Sequence, residues 1–422
     1  LALFNPTDKL LLSALSPTDA SRERARRLVD ENAADIDWAA LLRRADQRQI
    51  VSLVRYNLSR LGLPTFLPIQ IQSKFDEISR LWAARHLAYV SETSRLISAY
   101  KGAGIDALPL KGAALMLGGY YPEAGLRAAL DIDLLVDPGR LALAEEVARG
   151  CGYEEIPGRR EIRARQRLEN ERNHLWPRRG PGGLILELHH RAFHFAKGGR
   201  DFGYTELIER ARLQRQMRAD DPPSPLLPSP SDLATHLIHH SIVDLQSAHS
   251  ILRTISDLGF IFARAPQSCG ETMERARLLG FAGAAQSAVR VLRLLEEASL
   301  AQLDASAKDG EIGLLLDLAM AESTDAVADA ARLFEYLDFS VRPAKKLGGL
   351  FSLLFTSRSH MEHLYGDSER GRVYLNYLRR PFDLIRKLKG GSLSPATLRR
   401  VRRLRRLSVQ ERPEESVRVD AE

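Results

Sequence analysis

Over residues 8–100 apolar side chains recur three and four positions apart: Leu10, Leu11, Leu12 and Leu15, then Trp38, Leu41, Leu42 and Ala45, then Ile50, Val51, Val54 and Leu58. Phe75, Ile78, Leu81, Leu87 and Val90 continue the series. This period matches one face of an α-helix. It predicts an N-terminal helical layer whose last helix runs over 71–100, set off by Gly62 and Pro64. At Gly104 the pattern changes. Short apolar runs bounded by turn residues predict strands at 105–110, 130–136, 153–156, 174–177 and 184–189, with helices at 113–120 and 141–149 between them. Strands alternating with helices indicate an α+β core, a mixed sheet embedded in a mainly helical protein. Five prolines between 222 and 230 mark a linker over 219–231, with Ser231 or Asp232 available to cap the next helix. Helical spacing then returns at 232–245, 250–264, 270–299, 311–336 and 370–389. The expected organisation is a helical region at 1–103, the α/β core at 104–218, the linker, a second helical region at 232–390, and a tail at 391–422 that is basic first and mixed in charge afterwards. Residues 408–422 read as disordered.

Composition narrows the class. The chain has 422 residues, 44% of them apolar and 27% charged, which allows two or three domains with sizeable cores. The net charge of +7 is unevenly placed. Residues 379–406 hold eleven Arg or Lys against one acid, Asp383, a local charge of +10 that leaves −3 for the rest of the chain. Two cysteines, Cys151 and Cys269, without CxxC spacing, argue against a disulfide framework and a Cys-rich zinc site, and suit a reducing compartment. No apolar run approaches the roughly 20 residues needed to span a bilayer, and no signal peptide is visible, so a cytoplasmic location is expected. Walker A, GxSxG, HExxH and dinucleotide-binding fingerprints are all missing from the sequence.

The candidate chemistry lies in Asp131-Ile132-Asp133-Leu134-Leu135-Val136. In a strand, alternate residues share a face, so Asp131 and Asp133 point together while Ile132 and Leu134 enter the core. Paired carboxylates of this kind suit a hard divalent cation that keeps positions open for phosphate oxygens. An isolated DxD is more often a solvated strand edge, but its context is informative. About twenty residues upstream a strand ends in Lys111-Gly112 at a helix start, where glycine lets backbone approach a phosphate and the helix N-terminus favours anions. Lys111 adds a point charge. Arg127, just before the acidic strand, is placed either to clamp a phosphate or to pair with Asp131. The later strand 184–189 offers Glu187 and His189 on its polar face, and Glu187 is a candidate third carboxylate and base.

Together these residues resemble the nucleotidyltransferase superfamily of the DNA polymerase β and kanamycin nucleotidyltransferase type. More closely, they are similar to the bacterial uncharacterised nucleotidyltransferase family. The similarity rests on Leu110-Lys111-Gly112-Ala113-Ala114, Tyr121, Arg127, the 131–136 strand, Glu187-Leu188-His189, Leu237–His240 and Asp257, and spans roughly residues 35–390. Two departures stand out. Lys111-Gly112 replaces the superfamily's Gly-Ser or Gly-Gly turn, and Glu187 stands where Asp is commoner. The resemblance implies transfer of an NMP from an NTP, in the first place ATP, to a small-molecule or peptide acceptor. It implies Mg²⁺ or Mn²⁺ on Asp131, Asp133 and Glu187, with Lys111, Gly112 and Arg127 holding the nucleotide. The alternative is a catalytically degenerate nucleotidyltransferase-fold protein that binds or scaffolds within a biosynthetic pathway.

Other features read more plainly. His236, His239, His240 and His249 share helix faces, but with Asp244 as their one acidic neighbour they read as packing residues rather than metal ligands. Arg159, Arg160, Arg163, Arg165 and Arg167 read as a solvated helix face. The basic run 379–406 contains two amphipathic patterns, around Phe382, Ile385 and Leu388 and around Leu398, Val401 and Leu404. The first is expected to pack on the body. The second either packs likewise or contacts an anionic membrane surface or nucleic acid.

Overall fold

The computed structural model describes residues 4–16, 18–62, 67–156, 174–193, 203–218, 225–243, 250–297 and 312–320, together with Arg379, Arg399 and 401–403. The arginines between 159 and 167, His249, the 370–389 helix apart from Arg379, most of the basic run and the 408–422 tail lie outside the described residues.

The N-terminal layer is helical, as the spacing predicts: α1 (Pro6–Ser13), α2 (Asp19–Asn32), α3 (Trp38–Gln47), α4 (Val51–Arg60) and the long α5 (Ile69–Gly102). Side chains of Asn5, Thr18 and Asp37 accept backbone N–H groups in the first turns of α1, α2 and α3, satisfying donors a helix start leaves unpaired. The 34 residues of α5 span about 50 Å. Its buried positions Tyr89, Thr93, Leu96 and Tyr100 repeat at helical spacing, but Leu81 and Leu87, which the sequence pattern counts with the buried stripe, are 62% and 66% exposed. Both lie on faces of α5 that no described element covers.

Five strands form one mixed sheet in the order β1-β2-β5-β4-β3: β1 (Leu108–Pro109), β2 (Asp131–Leu135), β3 (Glu154–Glu155), β4 (Arg178–Arg179) and β5 (Ile185–His189). Between them run α6 (Lys111–Leu117) and α7 (Leu141–Gly150). β2 and β5 pair in parallel at the centre; the other pairings are antiparallel. The expected strand at 105–110 shrinks to two residues at the edge of the sheet, where Pro109, which has no N–H to donate, is tolerated. The expected strand at 174–177 becomes a single bridge, His174 to His189, and the pairing with β5 moves on to Arg178–Arg179.

After the sheet come α8 (Tyr204–Arg218), α9 (Pro230–Ile238), a five-residue π-helical turn (His239–Val243), α10 (Ile251–Arg264), α11 (Ser268–Leu278), α12 (Ala282–Glu297) and α13 (Ile312–Ala319). The expected helix over 270–299 is two helices, broken where Gly280 takes φ +80°. α9 starts earlier than expected. Ser229 caps it and Pro230 fills its first position, where the missing N–H costs nothing.

Two apolar clusters result. One lies between the sheet, α5 and α7, and takes Ile132, Leu134, Leu186 and Leu188 from the central strands. The other joins the N-terminal helices, α6, α8 and α9–α13. The N-terminal helices close directly on late ones: Arg24 donates to the carbonyl of Leu295 at 2.5 Å and Arg48 to that of Ala319 at 2.8 Å, 271 positions away in each case. Val401, in the second basic amphipathic stretch, is fully buried in the larger cluster, whereas Arg399, Arg402 and Arg403 are exposed. That is the packed arrangement at the described part of this stretch.

Candidate active site

Alternation along β2 and β5 decides what faces what. With the even-numbered residues buried against α5 and α7, Asp131 and Asp133 of β2 and Glu187 and His189 of β5 share the opposite face. The parallel register sets Asp133 beside Glu187 and Leu135 beside His189. One ligand atom each from Asp133, Glu187 and His189 fall within 4.8 Å of one another. Asp131 lies on the same face, two residues nearer the strand start and half-buried. The sequence thus groups the three acids correctly by face. His189 enters the closest group of potential ligands as a member not expected from the sequence, and Asp131 stands just outside it.

Lys111 is drawn into this group. It opens α6 with φ +46°, in the left-handed region where a non-glycine residue is strained. Its Nζ donates to Asp133 Oδ1 at 2.7 Å, and His189 Nε2 lies 2.8 Å from the same oxygen. Burial disfavours the Lys111 ammonium, but the carboxylates of Asp133, Glu187 and Asp131 outweigh it and the pKa rises. The His189 imidazole is held neutral, first by burial and then by Lys111. Gly112 follows from packing as well as from any ligand. A Cβ there would sit 2.9 Å from Ala129 Cβ, so side chains are excluded where α6 meets the loop before β2.

Arg127 does not pair with Asp131. Its Nε donates to both carboxylate oxygens of Asp257 on α10, at 2.8 and 3.1 Å, and Tyr121 Oη donates to Asp257 Oδ1 at 2.6 Å. Arg127 and Asp257 are both buried. This ties the loop before the acidic strand to the late helices. Asp257 and Tyr121 appear in the sequence resemblance without a role; their contact joins residues 136 positions apart, which no local pattern encodes.

Asp131 and Asp133 of β2 and the start of α6 line a cleft of about 110 Å³ together with Gln49, the π-helical turn and α10; Glu187 is not part of its lining. The π turn bulges the backbone after α9 and places His240 and Ser241 on the cleft. His236 and His239 instead pack edge-on to Phe193, with ring centroids 5.9 and 5.6 Å apart, as the packing interpretation expects. Arg253 and Gln49, also on the cleft, have no signal in the sequence.

The donor set fits a divalent cation. Three carboxylates, Asp131, Asp133 and Glu187, converge on one contacting ammonium, Lys111, so negative charge is left over in a poorly solvated place. Burial first, and then the crowding of Asp133 and Asp131, push the Glu187 carboxyl up to about 8, against the pull of Lys111. Oxygen-rich sites of this type suit Mg²⁺ or Mn²⁺. One outcome follows for the metal-free protein. Folded Glu187 keeps a proton that the unfolded chain loses near pH 4–5, so the stability this group contributes is fully present below that range, falls as pH rises toward 8, and levels off above it. The slope attributable to one proton is at most about 1.4 kcal/mol per pH unit. Urea unfolding between pH 5 and 9 checks it: Glu187→Gln should flatten the decline, and an unchanged slope would rule out the retained proton.

A mixed sheet carrying an acid-x-acid strand beside a third acid, and a helix start beside both, is the arrangement of a nucleotidyltransferase. Comparison with known families matches residues 34–296 to the uncharacterised nucleotidyltransferase family, and the chain belongs to that family. No curated protein and no solved structure matches it. Membership supports a transferase role of the nucleotidyl type. Among the described residues, no helix is long and apolar enough to cross a membrane.

Proposed function

We propose that the protein transfers a nucleoside monophosphate from an NTP, in the first place ATP, to an oxygen of a small-molecule or peptide acceptor. The observation that supports this most is the side-by-side register of Asp133 and Glu187 on parallel strands, with Asp131 on the same face at the mouth of a cleft. Asp131, Asp133 and Glu187 are the residues that would hold Mg²⁺ or Mn²⁺, with His189 close enough to join them. When bound, such a cation supplies charge neutralisation to the phosphates. Lys111 and Gly112, at the start of α6, line the same cleft and are placed to hold the triphosphate. Arg127 adds positive charge there, partly offset by Asp257. In the reaction the acceptor oxygen bonds to the α-phosphorus and the bond to the β-phosphate breaks. Pyrophosphate leaves with the electron pair, and the acceptor proton passes to Glu187 or to solvent. Fixed charges around the developing negative charge do most of the work.

Lys111 on Asp133 favours a second reading, in which the ammonium permanently stands in for the cation and the chain only binds ligand. One experiment separates the two. Cell lysate supplied with the full-length protein, each NTP and Mg²⁺ or Mn²⁺ is searched by mass spectrometry for acceptors gaining an NMP. The transfer reading expects at least one NTP- and metal-dependent product. Its absence, with intact NTP recovered under every condition, supports the binding protein.

A further inference from the structure

The cleft wall opposite the acids carries a charge that the reading above leaves without a task. Arg253 of α10 lines it. Its Nη1 donates to the Gln49 side-chain carbonyl, and its buried Nε has no hydrogen-bond partner among the described residues. One helical turn further along α10, Asp257 is already committed to Arg127 and Tyr121. No carboxylate among the described residues lies within ion-pair distance of Arg253, whereas Arg127 is paired with Asp257. Burial, and then repulsion from Arg127, bring the Arg253 pKa down to about 10 against the more distant pull of Asp257 and Asp131, so the group stays charged at neutral pH. A guanidinium with no carboxylate in contact, in a poorly solvated wall, is costly unless an anion completes it.

Gln49 sharpens the picture. Among the described residues two non-glycine positions hold positive φ, Gln49 at +55° and Lys111 at +46°. Both line this cleft. Strain of this kind persists where the surroundings fix a side chain in one direction. A purely structural tie between α10 and the N-terminal helices would account for the Gln49 contact. It would not account for the idle Nε or for the unmatched charge. Size then selects the ligand portion. At about 110 Å³ the cleft falls well below the roughly 300 Å³ or more of pockets that enclose a whole drug-sized ligand. It has room for phosphate groups, with sugar and base outside. A guanidinium suits phosphate because its planar fork can donate two parallel hydrogen bonds.

We propose that Arg253, aimed by Gln49, binds the polyphosphate of the nucleotide from the wall facing the acids. This rests on the nucleotidyl-transfer reading. Lys111 and the acid-bearing face hold one side of the phosphate chain, and Arg253 takes oxygens on the other.

The test is calorimetric titration of the full-length protein with inorganic tripolyphosphate in chelator, and with ATP in Mg²⁺. Arg253→Gln is expected to weaken both by tenfold or more, and Arg253→Lys, which keeps the charge without the fork, by a smaller factor. Asp131→Asn is expected not to weaken metal-free tripolyphosphate binding, since it removes a repelling charge. Circular dichroism confirms folding of each variant; if Arg253→Gln does not fold, Arg253→Lys and Gln49→Ala carry the comparison. Variants that bind tripolyphosphate within twofold of the wild type overturn the assignment of Arg253 and leave nucleotidyl transfer standing. A wild type that binds neither probe overturns both.

Discussion

Asp131→Asn and Asp133→Asn are both expected to lower nucleotidyl transfer by about 10²–10³-fold, the usual cost of removing one group that stabilises charge in the transition state, yet to differ sharply in stability. Asp133 is buried and accepts from Lys111 and His189 at once. Neutralising it leaves the Lys111 ammonium buried with Glu187 as its nearest remaining counter-charge. Breaking a buried pair commonly costs about 3–5 kcal/mol; Glu187 would hold the loss near the lower end. Asp131 is half-exposed, and the contact that anchors its position comes from Tyr89 Oη to its backbone carbonyl, which the substitution preserves. Its variant should unfold within about 0.5 kcal/mol of the wild type. Label transfer from α-phosphate-labelled NTP and urea unfolding measure the two quantities. Wild-type transfer by both variants would remove the acids from the reaction.

The second large effect concerns Asp257. Asp257→Asn leaves the Arg127 guanidinium almost wholly buried beside a neutral amide, and removes the charged acceptor of Tyr121. The expected loss is about 3–5 kcal/mol, visible as a lowered urea midpoint. Because the pair joins the loop before β2 to α10, transfer should fall as well, through displacement of the acidic strand relative to the opposite cleft wall. Replacing both partners together, Arg127→Met with Asp257→Leu, should recover part of the stability, since no charge is then stranded. A single variant as stable as the wild type would show that the pair holds nothing together.

The parts of this site that share a strand or a helix are legible in the sequence. Alternation alone puts Asp131 and Asp133 on one face, and the same rule puts Glu187 with His189. The parallel register that brings Asp133 to Glu187 is not legible, because it depends on how two strands more than fifty residues apart meet within a packed sheet. The sequence places Lys111 toward phosphate; its contact with Asp133 goes with a strained backbone angle that lysine rarely adopts. Arg253 and Gln49 are farther still from local rules. Arg253 sits within a helical pattern and Gln49 in the turn after α3, and they acquire a role only when α10 is laid against that turn. The break of the 270–299 helix and the early start of α9 come down to single residues, Gly280 and Pro230, outweighing a continuous apolar pattern.

The ties from α2 to Leu295 and from Arg48 to Ala319 bear on how the chain is made. During synthesis the first helices leave the ribosome long before the segments that cover their apolar faces. At about 5–20 residues per second, some 270 residues take roughly 15–50 s. For that interval Arg24, Arg48 and the leucines of α1 have none of their final late-chain partners. The nascent N-terminal layer is therefore a natural client for a chaperone, and premature termination anywhere before residue 295 should yield protein that aggregates rather than a smaller folded unit.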